Sequence, residues 1–281
     1  MRSMQQTSTV AAEGSTREYA GGKMLATRRD GIGVMTFNQP SKHNAVSVDM
    51  WGGLGEILDE FAADDTLRVV VVTGAGGRAF VSGADISQFE QQRNNADAQR
   101  AYDQQTSKGR EKLSRFPKPT IAMIRGYCLG GGLAIAMQTD LRIASPDSQF
   151  GIPAAKLGIA YGFEGLRNLV SLVGPANARM IMYTGERFGA DEALRIGLVN
   201  RVVAAADDLE NHVFELAQTI ANNAPLSVAA SRLTISQLLL DPQNRDSDAV
   251  HRASVACFDS DDYREGRAAF LEKRKPQFKG R

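Results

Sequence analysis

The stretch Gly126-Tyr127-Cys128-Leu129-Gly130-Gly131-Gly132-Leu133-Ala134 constrains this chain more than any other. Three consecutive glycines follow an apolar, strand-like run from Pro119 to Ile124 and open an apolar helix from Leu133 to Met137. The first N–H groups of a helix have no intrahelical partner and lie at the positive end of its dipole, so they attract negative charge. Glycine lets an incoming oxygen reach those donors without meeting a Cβ. Taken alone, the triplet favours a plainer reading, a tight turn where backbones pack closely.

A second glycine-punctuated segment, Arg78-Ala79-Phe80-Val81-Ser82-Gly83-Ala84-Asp85-Ile86, lies upstream, directly after the strand-like run Leu67 to Thr73. Two loops that each offer one backbone N–H to the same oxygen form an oxyanion hole. Each such donor is worth about 2.7–4 kcal/mol toward a developing enolate or tetrahedral anion. The run Gly74-Ala75-Gly76-Gly77-Arg78-Ala79 also has the outline of a dinucleotide fingerprint, with acidic Glu90 further on. Two strands and a helix already precede it, however, and Phe80-Val81-Ser82 interrupts the helix that should start there. A nucleotide-binding dehydrogenase is therefore set aside.

With 281 residues the chain can bury a substantial core in one or two domains. Its 33 basic and 32 acidic residues leave a net charge of +1, with no basic block for nucleic acid and no acidic tail. Cys128 and Cys257 lie in apolar surroundings and read as buried thiols of a reducing compartment. The histidines His43, His212 and His251 lack metal-ligand spacing, so no metal site is expected. No apolar run approaches the length of a membrane span. Residues 1–22 are polar and aperiodic, carry Glu13 and Glu18, and lack the apolar core of a signal peptide. They read as a disordered leader, and a cytoplasmic location follows by default.

Along the chain, Met24 to Thr27 and Gly33 to Phe37 predict a hairpin across Arg29-Asp30-Gly31, with Asp-Gly as the turn signal. Asn44 to Ala63 carries apolar residues at helical spacing. Strand 67–73 leads into the first glycine loop, and a helix over about 96–115 stops at Pro117-Lys118-Pro119. After the glycine triplet come a helix to about 139, a strand Leu141 to Ala144, a loop from Ser145 to Tyr161, and further helix. From about Asp207 the pattern is helical only, over 207–223, 225–240, 246–257 and 260–273. The class is α/β, with strand, loop and helix recurring as in a spiral of ββα units.

The paired segments Phe80 to Ile86 and Gly126 to Gly132 resemble those of the crotonase (enoyl-CoA hydratase/isomerase) family, and the resemblance runs over about residues 24–281. It implies a spiral core over 23–206 holding an acyl-CoA site, and a C-terminal helical trimerisation region over 207–281. The chain would then act as a homotrimer or a dimer of trimers, with no cofactor beyond the coenzyme A of the substrate. The thioester carbonyl would accept from the N–H groups of Ala84 and Gly131. Ser41, Lys42 and His43 would line the adenine pocket, and Ser82, Asp85, Ile86, Ser87 and Gly130 would continue its wall. Phe270 and Lys273 would reach the nucleotide, often from an adjacent subunit. Asp85 reads otherwise as a turn or cap residue, and Asp140 as a pin between a helix end and the neighbouring strand.

The chain departs from the family pattern at two points. Hydratases place one glutamate three residues after the middle glycine and another in a Phe-Gly-x-Pro-Glu segment. This chain has Ala134 at the first position and Ala154 at the second. A methyl group neither accepts nor donates a proton, so hydration by two glutamates is in doubt. The following loop offers Tyr161 and Glu164 as acid or base. Tyr161 resembles a tyrosine of methylmalonyl-CoA decarboxylase relatives, in which the position of Ala134 is acidic. Three expectations follow: an enolate-stabilising acyl-CoA enzyme, a malonyl-type acyl-CoA decarboxylase, or a non-enzymatic acyl-CoA-binding protein on the same scaffold.

Overall fold

Four consecutive valines, Val69 to Val72, set the layering. Side chains alternate across a strand, so an unbroken apolar run needs apolar cover on both faces. Val70 and Val72 enter the main core with Met35, Phe37, Phe80, Ile124 and Cys128. Val69 and Val71 face the other way, into a second core with Ile32, Ile121, Ile143, Leu209 and Val213. The computed structural model describes residues 14–85 and 96–281 of the chain.

The larger sheet has seven strands: β1 (Thr16–Tyr19), β2 (Met24–Arg29), β3 (Ile32–Phe37), β4 (Val69–Gly74), β6 (Thr120–Ile124), β8 (Leu141–Ala144) and β11 (Arg201–Val202), adjacent in that order. β1 to β3 pair antiparallel, and the rest are parallel. The smaller sheet holds β5 (Ala79–Val81), β7 (Tyr127–Leu129), β9 (Gln149–Gly151) and β10 (Phe188–Gly189), in the order β10-β9-β7-β5. From β4 to β9 the chain three times gives one strand to the large sheet, the next to the small sheet, and then a helix.

The helices are α1 (Val48–Ala63), α2 (Ala96–Ser114), α3 (Gly131–Ala136), α4 (Phe163–Thr184) and α5 (Ala190–Arg195), then α6 (Leu209–Ala221), α7 (Pro225–Leu238), α8 (Ser247–Asp259) and α9 (Asp261–Glu272). The expected β2–β3 hairpin is present. Asp30 and Gly31 both take positive φ, 50° and 76°, which turns the chain in two residues.

Several expectations are corrected. The leader over 1–22 is not disordered throughout, because Thr16–Tyr19 pairs with Thr27 to Met24; residues 1–13 lie outside the described residues. α1 starts at Val48 rather than Asn44, whose side chain bonds to backbone instead. The helix after the glycine triplet ends at Ala136, not near 139. The loop from Ser145 to Tyr161 contains β9 and a 3-10 turn, Pro153–Leu157. Cys128 is buried as expected, but Cys257 is only half buried.

Candidate active site

β5 and β7 are neighbours and run parallel, with Val81 opposite Cys128, so the chain leaves both strands on the same side. Ser82-Gly83-Ala84 emerges from one and Gly130-Gly131 from the other. A Cβ built on Gly131 would lie 3.5 Å from the Ala84 nitrogen. Among the described residues neither the Ala84 N–H nor the Gly131 N–H donates to a protein acceptor.

Each donor has a local cause. Ala84 bridges Val46 in parallel register: the Val46 N–H donates to the Gly83 carbonyl at 2.8 Å, and the Asp85 N–H donates to the Val46 carbonyl at 3.0 Å. The flanking residues thus take the pairing and leave the Ala84 N–H on the opposite side. Gly131 opens α3, where the first N–H has no intrahelical acceptor. Gly130 anchors that turn by donating to the Gly151 carbonyl at 2.8 Å. Gly132 permits the close approach, since a side chain there would collide with the Val81 carbonyl.

The segment behind the first loop hangs on Asn44, which is fully buried. Its Nδ2 donates to the carbonyls of Ala75 and Ala79 at 2.9 and 2.8 Å, and its Oδ1 accepts from the Gln39 N–H at 2.9 Å. The run Gly74 to Ala79 is therefore the turn joining β4 to β5, with no helix after it, and the dinucleotide outline has no structural counterpart. Sequence reasoning missed Asn44; its signal was an amide residue at the head of an otherwise apolar helical pattern.

Of the proposed coenzyme A residues, Ser41 and Lys42 are exposed and Ser82 and Gly130 are partly exposed. The Ser82 N–H donates to the His43 carbonyl at 3.1 Å. Lys42 Nζ pairs with Asp85 Oδ2 at 2.8 Å, a link across 43 positions that the sequence did not suggest. The His43 ring turns inward and meets Tyr127 edge-on at 5.8 Å. Ile86 and Ser87 lie outside the described residues. Phe270, near the end of α9, is 83% exposed, and Lys273 just beyond it is exposed too.

The two alanines differ in setting. Ala134 is partly exposed on α3, whereas Ala154 is buried in the main core, 4% exposed. Pro153 touches the Gly130 turn, its Cδ 3.9 Å from a Cβ built on Gly130, which brings the 153–154 segment beside the glycine triplet. Tyr161 packs half-buried on the main core, its ring edge against Gly165. Glu164 lies in the first turn of α4, and its side chain falls outside the described residues. Burial pushes the Cys128 thiol well above its usual range, so that sulfur stays protonated and unreactive. Among the described residues no group of three His, Cys, Asp or Glu side chains suits a metal, and no helix is long and apolar enough to cross a membrane.

The sequence pattern of the enoyl-CoA hydratase/isomerase family matches residues 27–281. A short-chain-enoyl-CoA hydratase of Clostridium acetobutylicum is 38% identical over 251 residues, 89% of this chain and 95% of that protein. A crotonyl-CoA hydratase of Syntrophomonas wolfei is 36% identical, over 91% of this chain and 97% of its own length. Among solved structures, an enoyl-CoA hydratase/carnithine racemase from Magnetospirillum magneticum superposes with a TM-score of 0.88 at 36% identity, covering 92% of this chain and 96% of that one.

Proposed function

Because the chain belongs to the enoyl-CoA hydratase/isomerase family, we propose that it acts on an acyl-CoA thioester through an enolate held by the N–H groups of Ala84 and Gly131. The observation that carries this reading is the meeting of two unspent donors from two loops, with the Gly131 Cβ position 3.5 Å from the Ala84 nitrogen. Charge that develops on the thioester oxygen gains more from such donors than the ground-state carbonyl does, which lowers the barrier rather than merely tightening binding.

The acid–base part differs from a two-glutamate hydratase, since Ala134 and Ala154 offer no proton. Loss of CO₂ from a malonyl-type thioester suits such a site. The bond between the α-carbon and the carboxylate breaks, its electron pair passes into the thioester enolate, and CO₂ leaves. A proton then returns to the α-carbon from water or from Tyr161, which sits half-buried on the main core. Binding without turnover is the remaining alternative.

The helical region over 207–281 is proposed to pack in a trimer or a dimer of trimers. In support, α7 and α8 bury no residue within the single chain, while Ile235, Leu238, Leu239 and Phe258 are each at least 60% exposed. Phe270 and Lys273 would then serve a neighbouring subunit's nucleotide pocket. The reading calls for no cofactor beyond the coenzyme A of the substrate, and a cytoplasmic setting fits it.

The test pairs crotonyl-CoA hydration with CO₂ release from methylmalonyl-CoA, using Gly131→Pro as the control. CO₂ release that the control loses supports the decarboxylase, and hydration that it loses supports a hydratase without the two glutamates. Tight binding of both thioesters with neither reaction overturns the enzymatic reading.

A further inference from the structure

Asp85 follows directly on Ala84, and its side chain is 8% exposed. A carboxylate so far from water needs a compensating charge, and the Lys42 ammonium stands 2.8 Å from it while half of the Lys42 side chain remains in solvent. Lys42 closes the 3-10 turn Pro40–Lys42, immediately before the segment 43–46 that is bonded to the Ala84 loop. Three backbone bonds already join these segments: Ser82 N–H to the His43 carbonyl, Val46 N–H to the Gly83 carbonyl and Asp85 N–H to the Val46 carbonyl. The ion pair spans that seam, from Lys42 just before the first bonded residue to Asp85 at the last.

The pair also sets the local charge. The negative charge of Asp85, one residue from an oxyanion donor, opposes negative charge gathering on the thioester oxygen wherever the Lys42 charge does not offset it. At the effective dielectric of a partly buried site this repulsion is large enough to slow an enolate-forming step about tenfold. We propose that Lys42 is a positioning residue for the oxyanion site: paired with Asp85, it holds the Ala84 loop and offsets the charge of the carboxylate next to the Ala84 donor. This rests on the enolate reading above, and it departs from the expectation that Lys42 serves mainly to hold coenzyme A.

The full chain is titrated with acetyl-CoA carrying ¹³C at the thioester carbonyl, as wild type, Lys42→Met, Asp85→Asn, the double variant and Lys42→Arg. Thermal unfolding establishes that each variant folds. Polarisation by the two N–H groups moves the bound carbonyl resonance downfield in wild type. Lys42→Met is expected to lose most of that shift with less than a threefold change in dissociation constant. Asp85→Asn loses less, the double variant recovers to the Asp85→Asn value, and Lys42→Arg keeps the wild-type shift. Recovery in the double variant is the signature of neutralisation, because removing both members of a pair that acts only as a structural tie restores nothing.

A Lys42→Met protein that keeps the shift but binds tenfold more weakly makes Lys42 a coenzyme A ligand and overturns the proposal. Equal shifts in all five proteins overturn it as well. Wild type that binds acetyl-CoA with no downfield shift is a different result, because it removes the oxyanion reading on which the proposal stands.

Discussion

Arg232 on α7 donates through Nε to Asp140 at 3.0 Å, and the carboxylate oxygen it meets, Oδ2, also accepts the Thr120 N–H and hydroxyl at 2.8 and 2.9 Å. One oxygen therefore fastens a C-terminal helix to the first residue of β6. The expected pin between helix end and strand is present, with the α7 arginine as an added partner. Asp140→Ala leaves the buried Thr120 N–H without an acceptor and should cost about 1–3 kcal/mol. Arg232→Met, which removes the third donor to Oδ2 and a long 3.4 Å bond to the Ser114 carbonyl but leaves the Thr120 bonds in place, should cost about 1 kcal/mol or less. Urea midpoints with unchanged slopes check both values, and equal losses would show that the Thr120 bonds contribute nothing.

A second cluster ties the N-terminal strand down by charge. Arg28 is buried between Asp64, at 2.9 Å, and Glu60, at 2.5 Å, and Glu60 also accepts from Tyr19 and Arg17 of β1. Burial raises the Glu60 carboxyl, but the hydrogen bonds from Tyr19 and Arg28 and the two arginine charges outweigh it and hold the group below its usual range. Asp64 is likewise held down: burial opposes, and bonds from Thr66 and Arg28 prevail. A carboxyl depressed in the folded state contributes stability that is present above its unfolded value, about 4, and is lost as pH falls through the folded value. The protection of the Thr16–Tyr19 amides, taken relative to their intrinsic exchange rates, should fall below about pH 4 before that of the central strands. Protection factors at β1 that stay constant from pH 7 to pH 3 while the carboxylates titrate would disprove this.

The adjacent glycines Gly131 and Gly132 should respond in opposite ways to one methyl group. At Gly132 the new Cβ would drive into the Val81 carbonyl, so Gly132→Ala should not give a stable fold. At Gly131 the new Cβ meets the Ala84 nitrogen and the Gly83 backbone at an ordinary 3.5 to 3.9 Å, so Gly131→Ala should fold with a melting temperature within a few degrees of the parent. Its methyl group stands where the thioester oxygen would approach the Ala84 N–H. Turnover should fall at least about a hundredfold, as for loss of one oxyanion donor. A fully active Gly131→Ala protein would remove Gly131 from the site.

Features set by neighbours in sequence were legible, and those set by distant partners were not. Asp30-Gly31 announced its turn because both residues tolerate positive φ, and Val69 to Val72 announced a strand, though not that cores cover both its faces. The three-residue strands Ala79–Val81, Tyr127–Leu129 and Gln149–Gly151 carry no period of their own and exist only because they pair with one another. Thr16–Tyr19 was read as part of a leader for the same reason, since its strand character comes from β2 and its anchorage from Glu60. At the candidate site the two glycine segments were recognisable by type and spacing. The Asn44 staple and the Lys42–Asp85 pair were not, because each depends on chain closure across 31 to 43 positions.

The differing burial of Ala134 and Ala154 makes a gain of hydration testable. A glutamate at position 134 sits on the partly exposed face of α3, where it stays ionised and can orient a water molecule as a base. A glutamate at position 154 enters the main core, where burial raises its pKa and keeps the proton that an acid must deliver. Ala134→Glu should therefore fold normally, while Ala154→Glu should lose several kcal/mol at neutral pH because a carboxyl replaces a buried methyl group. The double variant should hydrate crotonyl-CoA about 10²–10⁴ times faster than the parent, the range expected of positioned acid–base groups, and each single variant should gain much less. Circular dichroism and crotonyl-CoA binding establish folding before rates are compared. A folded double variant that binds crotonyl-CoA and hydrates it no faster than the parent would show that positions 134 and 154 do not flank the reacting double bond, and the acid–base geometry assigned to them would have to be abandoned.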